Sequence, residues 1–163
     1  NKAAYNSLWR VNTDGEFNVQ FGDPKDFEPE KIKKSSKILK NVKIKNEDFG
    51  YVLQEANKGD KVYFDPPYPS TPNSPNYNKY TVEEFDMEDQ ERLINCCLNL
   101  DQKDVFFVLS NADTKQMRQL LSSFDHEFSL IEIGARRWIS CKDSSQEDEL
   151  LITNEPEEKW IKQ

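Results

Sequence analysis

The chain has 163 residues, of which 36% are apolar, 12% aromatic and 32% charged, with a net charge of −8. That length suits one domain with its own core, and the aromatic content argues against disorder. No apolar run approaches the roughly 20 residues of a membrane span, and three cysteines with two adjacent (Cys96, Cys97) give neither a disulfide framework nor metal spacing. A reduced, intracellular compartment, the cytoplasm, is therefore expected, with no membrane and no metal.

In chain order, residues 1–35 read as loop, with turn signals at Thr13-Asp14-Gly15 and Gly22-Asp23-Pro24. Charge is uneven. Between Lys25 and Lys45 stand eight lysines against Asp26, Glu28 and Glu30, an excess of 8 − 3 = 5 positive charges, whereas acids gather in 83–91 and 143–158. A basic stretch of this kind is either a solvated face or a phosphate-facing one. KILKNVKIK (37–45) has the alternation of a strand through Ile38, Val42 and Ile44. Asp48 then reads as the cap of a helix through Asn57, closed by Gly59.

KVYF (61–64) predicts a strand that stops at Asp65-Pro66-Pro67-Tyr68. Each proline lacks an N–H and has a fixed φ, so neither continues a ladder, and Asp65 is held extended by the proline after it. The stretch 69–80, with Pro69, Pro72 and Pro75, reads as a long loop. A helix is predicted over about 86–100 with Leu93, Ile94, Cys97 and Leu98 on one face. DVFFVLS (104–110) reads as a strand buried on both faces, followed by a helix capped by Asn111 or Asp113. FSLIEI (128–133) and ELLIT (149–153) complete the elements. Alternating strands and helices predict a doubly wound α/β sheet with a closing antiparallel edge strand, and ligands at the carboxyl ends of its strands.

The chemistry suggested by Asp65 and its prolines is that of an amino nitrogen. The exocyclic amine of a base is a poor nucleophile because its lone pair is conjugated with the ring. A carboxylate (Asp65) and a rigid backbone carbonyl (Pro66) can each accept one of its N–H bonds and draw the nitrogen toward tetrahedral geometry. Tyr68 offers a ring on which a base rotated out of a duplex could stack. A rigid turn with a capping aspartate is the plain structural alternative.

DPPY behind a strand resembles the catalytic motif of amino-methyltransferases that use S-adenosyl-L-methionine. The rest of the chain is similar to Dam-type DNA adenine-N6 methyltransferases in YNSLWRVNTDGEFNVQFG (5–22), EDF (47–49), YFDPPY (63–68), YNKYT (77–81), LSNADT (109–114), ARRWIS (135–140) and ELLITN (149–154). The resemblance implies a Rossmann-like methyltransferase sheet, with residues 1–35 as the end of a target-recognition region and 36–163 as the carboxyl-terminal half of the catalytic domain. It implies catalytic roles for Asp65, Pro66, Pro67 and Tyr68, and cofactor contacts from Asp48, Phe49 and Asp65. Double-stranded DNA would meet Tyr5, Asn6, Leu8, Arg10, Asn12, Gln20, Tyr77, Tyr80, Arg136 and Arg137.

Within that set Tyr5 and Asn6 match a wedge into the duplex, Arg10 a guanine reader and Leu8 a contact to a thymine methyl. Asn12, Gly15, Phe17 and Asn18 match mainly framework positions. Gln20 replaces the family's usual proline, Asp23 stands where a basic residue is common, and KDSSQEDE (142–149) departs from a basic loop. These departures bear on the target, for which a GATC-like site is the expectation. His126, the one histidine, reads as a surface residue.

The family's glycine-rich cofactor loop has no counterpart among Gly15, Gly22, Gly50, Gly59 and Gly134. The chain is thus expected to begin inside the recognition region. An uncovered sheet edge would then invite the missing amino-terminal half or a second chain. Two alternatives stand beside the adenine enzyme: a nucleic-acid-binding remnant without catalysis, and a cytosine-N4 methyltransferase, in which Ser is commoner at the first motif position.

Overall fold

The computed structural model describes residues 12, 14–22, 28–69, 85–136 and 146–156, with backbone alone at 135–136 and 146–147. The chain divides into two compact units, Asn1–Glu47 and Asp48–Gln163.

In the first unit, the Asn12 side chain accepts from the N–H groups of Asp14 (3.0 Å) and Glu16 (2.8 Å), closing a turn around Gly15 at φ +80°. Helix α1 (Pro29–Leu39) follows, with proline in its first turn and a Glu30–Lys33 ion pair at 2.9 Å; none of its residues is buried. Two expectations fail here. Residues 1–35 are not all loop, and 37–45 is not a strand: the helix runs to Leu39, and 42–46 carry no strand pairing. Lysine favours helix, proline pre-sets its first turn, and the alternation in 38–44 finds no partner strand to reward it.

The second unit opens with a 3₁₀ turn (Phe49–Tyr51) that runs into the short helix α2 (Val52–Glu55). Asp48 caps it as expected, accepting from Gly50 N–H at 2.9 Å. The helix ends at Glu55 rather than Asn57, because Ala56 is extended and Asn57–Asp60 form a turn. Gly59 occupies that turn at φ +88°, where a side chain would be strained.

Strand β1 (Lys61–Phe64) is followed by helix α3 (Met87–Asp101), whose start is fixed by a capping box between Asp86 and Asp89. Then come β2 (Phe106–Ala112), helix α4 (Lys115–Ser122), β3 (Ser129–Arg136) and β4 (Gln146–Thr153). Thr114, not Asn111 or Asp113, caps α4. Asn111 lies inside β2, and Asp113 instead takes a two-pronged ion pair from Arg118 at 2.6 Å.

The four strands form one mixed sheet in the order β1-β2-β4-β3. β1 and β2 are parallel, and β4 is antiparallel to both its neighbours. The antiparallel strand is therefore internal and not the closing edge that was expected. β4 pairs with β2 on one side and β3 on the other, and its Leu150 and Ile152 are 0% and 1% exposed on the face that joins the core. Phe64, Phe107, Leu109, Leu150 and Ile152 join Leu93, Ile94, Cys97 and Leu100 of α3 in one core, with Met117 and Leu121 of α4.

Candidate active site

β1 and β2 run side by side through the pair Phe64↔Leu109, so the residues just beyond, Asp65 and Ser110, face each other at the carboxyl ends of the strands. The Ser110 hydroxyl donates to Asp65 Oδ1 at 3.1 Å, with the Phe64 carbonyl at 3.3 Å competing for the same proton. Its oxygen accepts from the Tyr63 hydroxyl at 3.2 Å. Ser110 is buried whereas Asp65 is exposed, so the carboxylate is steered from below and open above. Among the described residues, Ser110 is the only partner of that carboxylate, and the Pro66 carbonyl accepts no hydrogen bond. One carboxylate oxygen and one carbonyl are thus left as acceptors on a segment that the prolines stiffen.

The following residue is tied to the core. Gln90, wholly buried in the first turns of α3, donates from Nε2 to the Pro67 carbonyl at 3.0 Å. Asn111, also wholly buried, donates from Nδ2 to Gln90 Oε1 at 2.9 Å and accepts the Ala112 N–H at 2.9 Å. No buried side-chain polar atom among the described residues lacks a partner. Sequence reading missed Gln90, although its position three and four residues before Leu93 and Ile94 puts it on the apolar face of α3.

A second cluster forms at the other side of α3. Arg92 Nη1 donates to both oxygens of Asp48 at 2.9 Å, and Nη2 to Asp89 at 3.0 Å. Its guanidinium lies 4.1 Å from the centre of the Phe49 ring, which is tilted against Phe85 at 6.1 Å. The Gly50 N–H, followed by Arg92, holds the Asp48 carboxyl below the usual carboxylate range. Thus α3 anchors both short segments singled out by the sequence, 48–49 and 65–68.

Likeness to known proteins agrees with the motif on the strand end. The D12 class N6 adenine-specific DNA methyltransferase model matches residues 1–139. The chain belongs to that family. It is 38% identical over 160 residues to the type II methyltransferase M.MjaIII of Methanocaldococcus jannaschii, covering 94% of this chain and 54% of that protein. The same identity over 157 residues relates it to the type II methyltransferase M1.LlaDCHI of Lactococcus lactis subsp. cremoris, covering 92% and 54%. It is 29% identical over 160 residues to the DNA adenine methylase of Escherichia coli K12, covering 96% and 56%. The chain therefore spans about half the length of these curated relatives.

The other positions expected of a D12 methyltransferase are spread along the chain. Tyr5, Asn6, Leu8, Arg10, Tyr77, Tyr80 and Arg137 lie outside the described residues, and Arg136 ends β3 opposite Gln146 with its backbone alone described. Asn12 has its side-chain oxygen engaged in the Gly15 turn, and Gln20 is exposed. His126 is half-buried, edge-on to Phe128 at 4.5 Å and 4.0 Å from Asp101. Burial pushes the thiols of Cys96 and Cys97 up.

Among the described residues, no group of three His, Cys, Asp or Glu side chains could hold a metal, and no helix is long and apolar enough to cross a membrane. A shallow groove of about 440 Å³ lies between Glu127–Leu130 and Asn154–Pro156, away from the motif. Its open polar lining carries no reactive arrangement, and the hydrogen-bonded Asp65 segment is the better site.

Proposed function

We propose that the protein carrying this chain is a site-specific DNA adenine-N6 methyltransferase, acting in the cytoplasm on an adenine flipped out of double-stranded DNA, at a GATC-like site. The observation that carries this reading is the pair of unfilled acceptors, one Asp65 oxygen and the Pro66 carbonyl, on a stiffened segment in a chain of this family. In it, the two acceptors take the two N–H bonds of the adenine amine, localise its lone pair, and Asp65 takes the surplus proton. Tyr68 stacks on the flipped base. Pro66 and Pro67 hold the acceptors still, so little reorganisation is needed during transfer.

The cofactor of this reading is S-adenosyl-L-methionine, which supplies an electrophilic methyl on sulfur. The chemistry of the residues at 48–49 fits its adenosine end: Asp48 is an acceptor for an amino group and Phe49 an adjoining flat apolar ring, both steadied by Arg92. The mixed sheet belongs to a Rossmann-like methyltransferase domain in this reading, residues 1–35 to the recognition region and 36–163 to the catalytic domain. β1, which pairs on one side alone among the described residues, is the edge that a further part of the protein or a second chain would extend.

The test uses the full-length protein, tritiated S-adenosyl-L-methionine and duplex DNA containing GATC. Asp65→Asn is expected to lower kcat about 100- to 1,000-fold with DNA affinity unchanged within a few-fold. Wild-type turnover in that variant would overturn the reading. Recovery of N4-methylcytosine from the digested product would move the enzyme to the cytosine class.

A further inference from the structure

We propose that Gln90 and Asn111 form a one-way amide relay that sets the plane of the Pro67–Tyr68 peptide and so positions the Asp65–Tyr68 segment for methyl transfer. Both are positioning residues, and the inference rests on the function proposed above.

The direction of the relay follows from its two ends. Ala112 N–H can only donate, so the Asn111 side chain must turn its oxygen to it and its nitrogen to Gln90. The Pro67 carbonyl can only accept, so Gln90 must turn its nitrogen to the loop and its oxygen to Asn111. Neither amide can flip without placing two like groups face to face. Both are 0% exposed, so water cannot take over either bond.

The consecutive prolines explain why the tether takes this form. Pro66 and Pro67 have no backbone N–H, so these two residues can be held by hydrogen bonds only through their carbonyls. Ser110 takes the side chain and Gln90 takes the Pro67 carbonyl, which leaves the Pro66 carbonyl between two fixed points. Position 90 lies one turn before the core residues Leu93 and Ile94 on the same face of α3, and both ends of its amide are taken up by the Pro67 carbonyl and Asn111.

The decisive variant is Gln90→Glu in the full-length protein, compared with Gln90→Met and Asp65→Asn. When protonated, the carboxyl introduced by Gln90→Glu donates its O–H to the Pro67 carbonyl and accepts from Asn111, preserving the relay. When ionised, it faces that carbonyl with another acceptor. Burial raises the carboxyl pKa, so the protonated form persists into the mildly acidic range.

The kcat of Gln90→Glu relative to wild type is expected to fall about tenfold to 100-fold as pH rises and to recover as pH is lowered, with KM for DNA unchanged. Gln90→Met loses a similar factor at every pH without recovery. If Gln90→Met does not fold, the low-pH and high-pH limbs of Gln90→Glu make the same comparison in one protein.

Wild-type kcat in the Gln90 variants, beside an inactive Asp65→Asn, would overturn the relay alone. So would a Gln90→Glu ratio that does not vary with pH. Full methylation by Asp65→Asn, or none by wild type, would overturn the function reading and the relay with it.

Discussion

Helix α3 holds two segments of the site by opposite means. At Gln90 it uses neutral amides sealed from water; two residues on, at Arg92, it uses charge in the open, with Arg92 and Asp48 side chains 49% and 60% exposed. A buried polar group left without its partner costs about 1–3 kcal/mol, whereas an exposed ion pair contributes less than about 1 kcal/mol. The loop bearing Asp65 is thus fixed rigidly, and the Asp48–Phe49 step is held by contacts that solvent and salt can loosen. On the proposed function, the segment that aims the amine gains from the first arrangement, and the one that would admit and release the cofactor gains from the second.

Breaking the buried side should have the largest effect. Asn111→Leu strands Gln90 Oε1 and the Ala112 N–H, and is expected to lower unfolding free energy by at least about 2 kcal/mol in urea titrations. Next comes Asp48→Ala, which removes both the cap on Gly50 and the Arg92 contact; a loss of about 1 kcal/mol is expected by the same measurement. Smaller still is Arg92→Met, at a few tenths of a kcal/mol, and the difference should shrink further in about 1 M salt. An Arg92→Met loss that matched Asn111→Leu would erase the distinction between the two anchors.

Acid sharpens the same contrast. Asp48 has a lowered carboxyl pKa in the folded chain, so its stabilisation is present above the ordinary carboxylate value and is lost as pH falls through the lowered one. The stability difference between wild type and Arg92→Met should therefore shrink as pH falls below the ordinary carboxylate value and through the lowered one, leaving the part due to the Phe49 ring contact. The Asn111→Leu difference, which involves no titrating group, should persist until the whole chain unfolds.

Much of this was legible beforehand because strong local signals agreed with the tertiary result. KVYF ending at Asp65 and the apolar run of β2 emerged as read, and so did the face of α3 through Leu93, Ile94 and Cys97, although Leu98 is only half-buried and Cys96 and Leu100 are buried instead. The failures lie where long-range pairing decides. The alternation in 37–45 resembles a strand, but a strand needs a neighbour, and Pro29 and a lysine-rich stretch favoured a helix up to Leu39. The position of β4 inside the sheet turns on its two partners, although the unbroken apolar run 150–152 pointed there. Gln90 escaped notice because a lone glutamine in an acidic stretch reads as solvated, and only the fold brings Asn111 and Pro67 to it.

The two empty acceptors beside Ser110 also bear on when the reaction stops. An unmodified adenine amine has two hydrogens, one for the remaining Asp65 oxygen and one for the Pro66 carbonyl. Once a methyl is in place a single hydrogen remains, so one acceptor would go unsatisfied and the lone pair would stay delocalised. On the proposed chemistry, the same geometry that activates the first transfer disfavours a second, and the enzyme should release the monomethylated base.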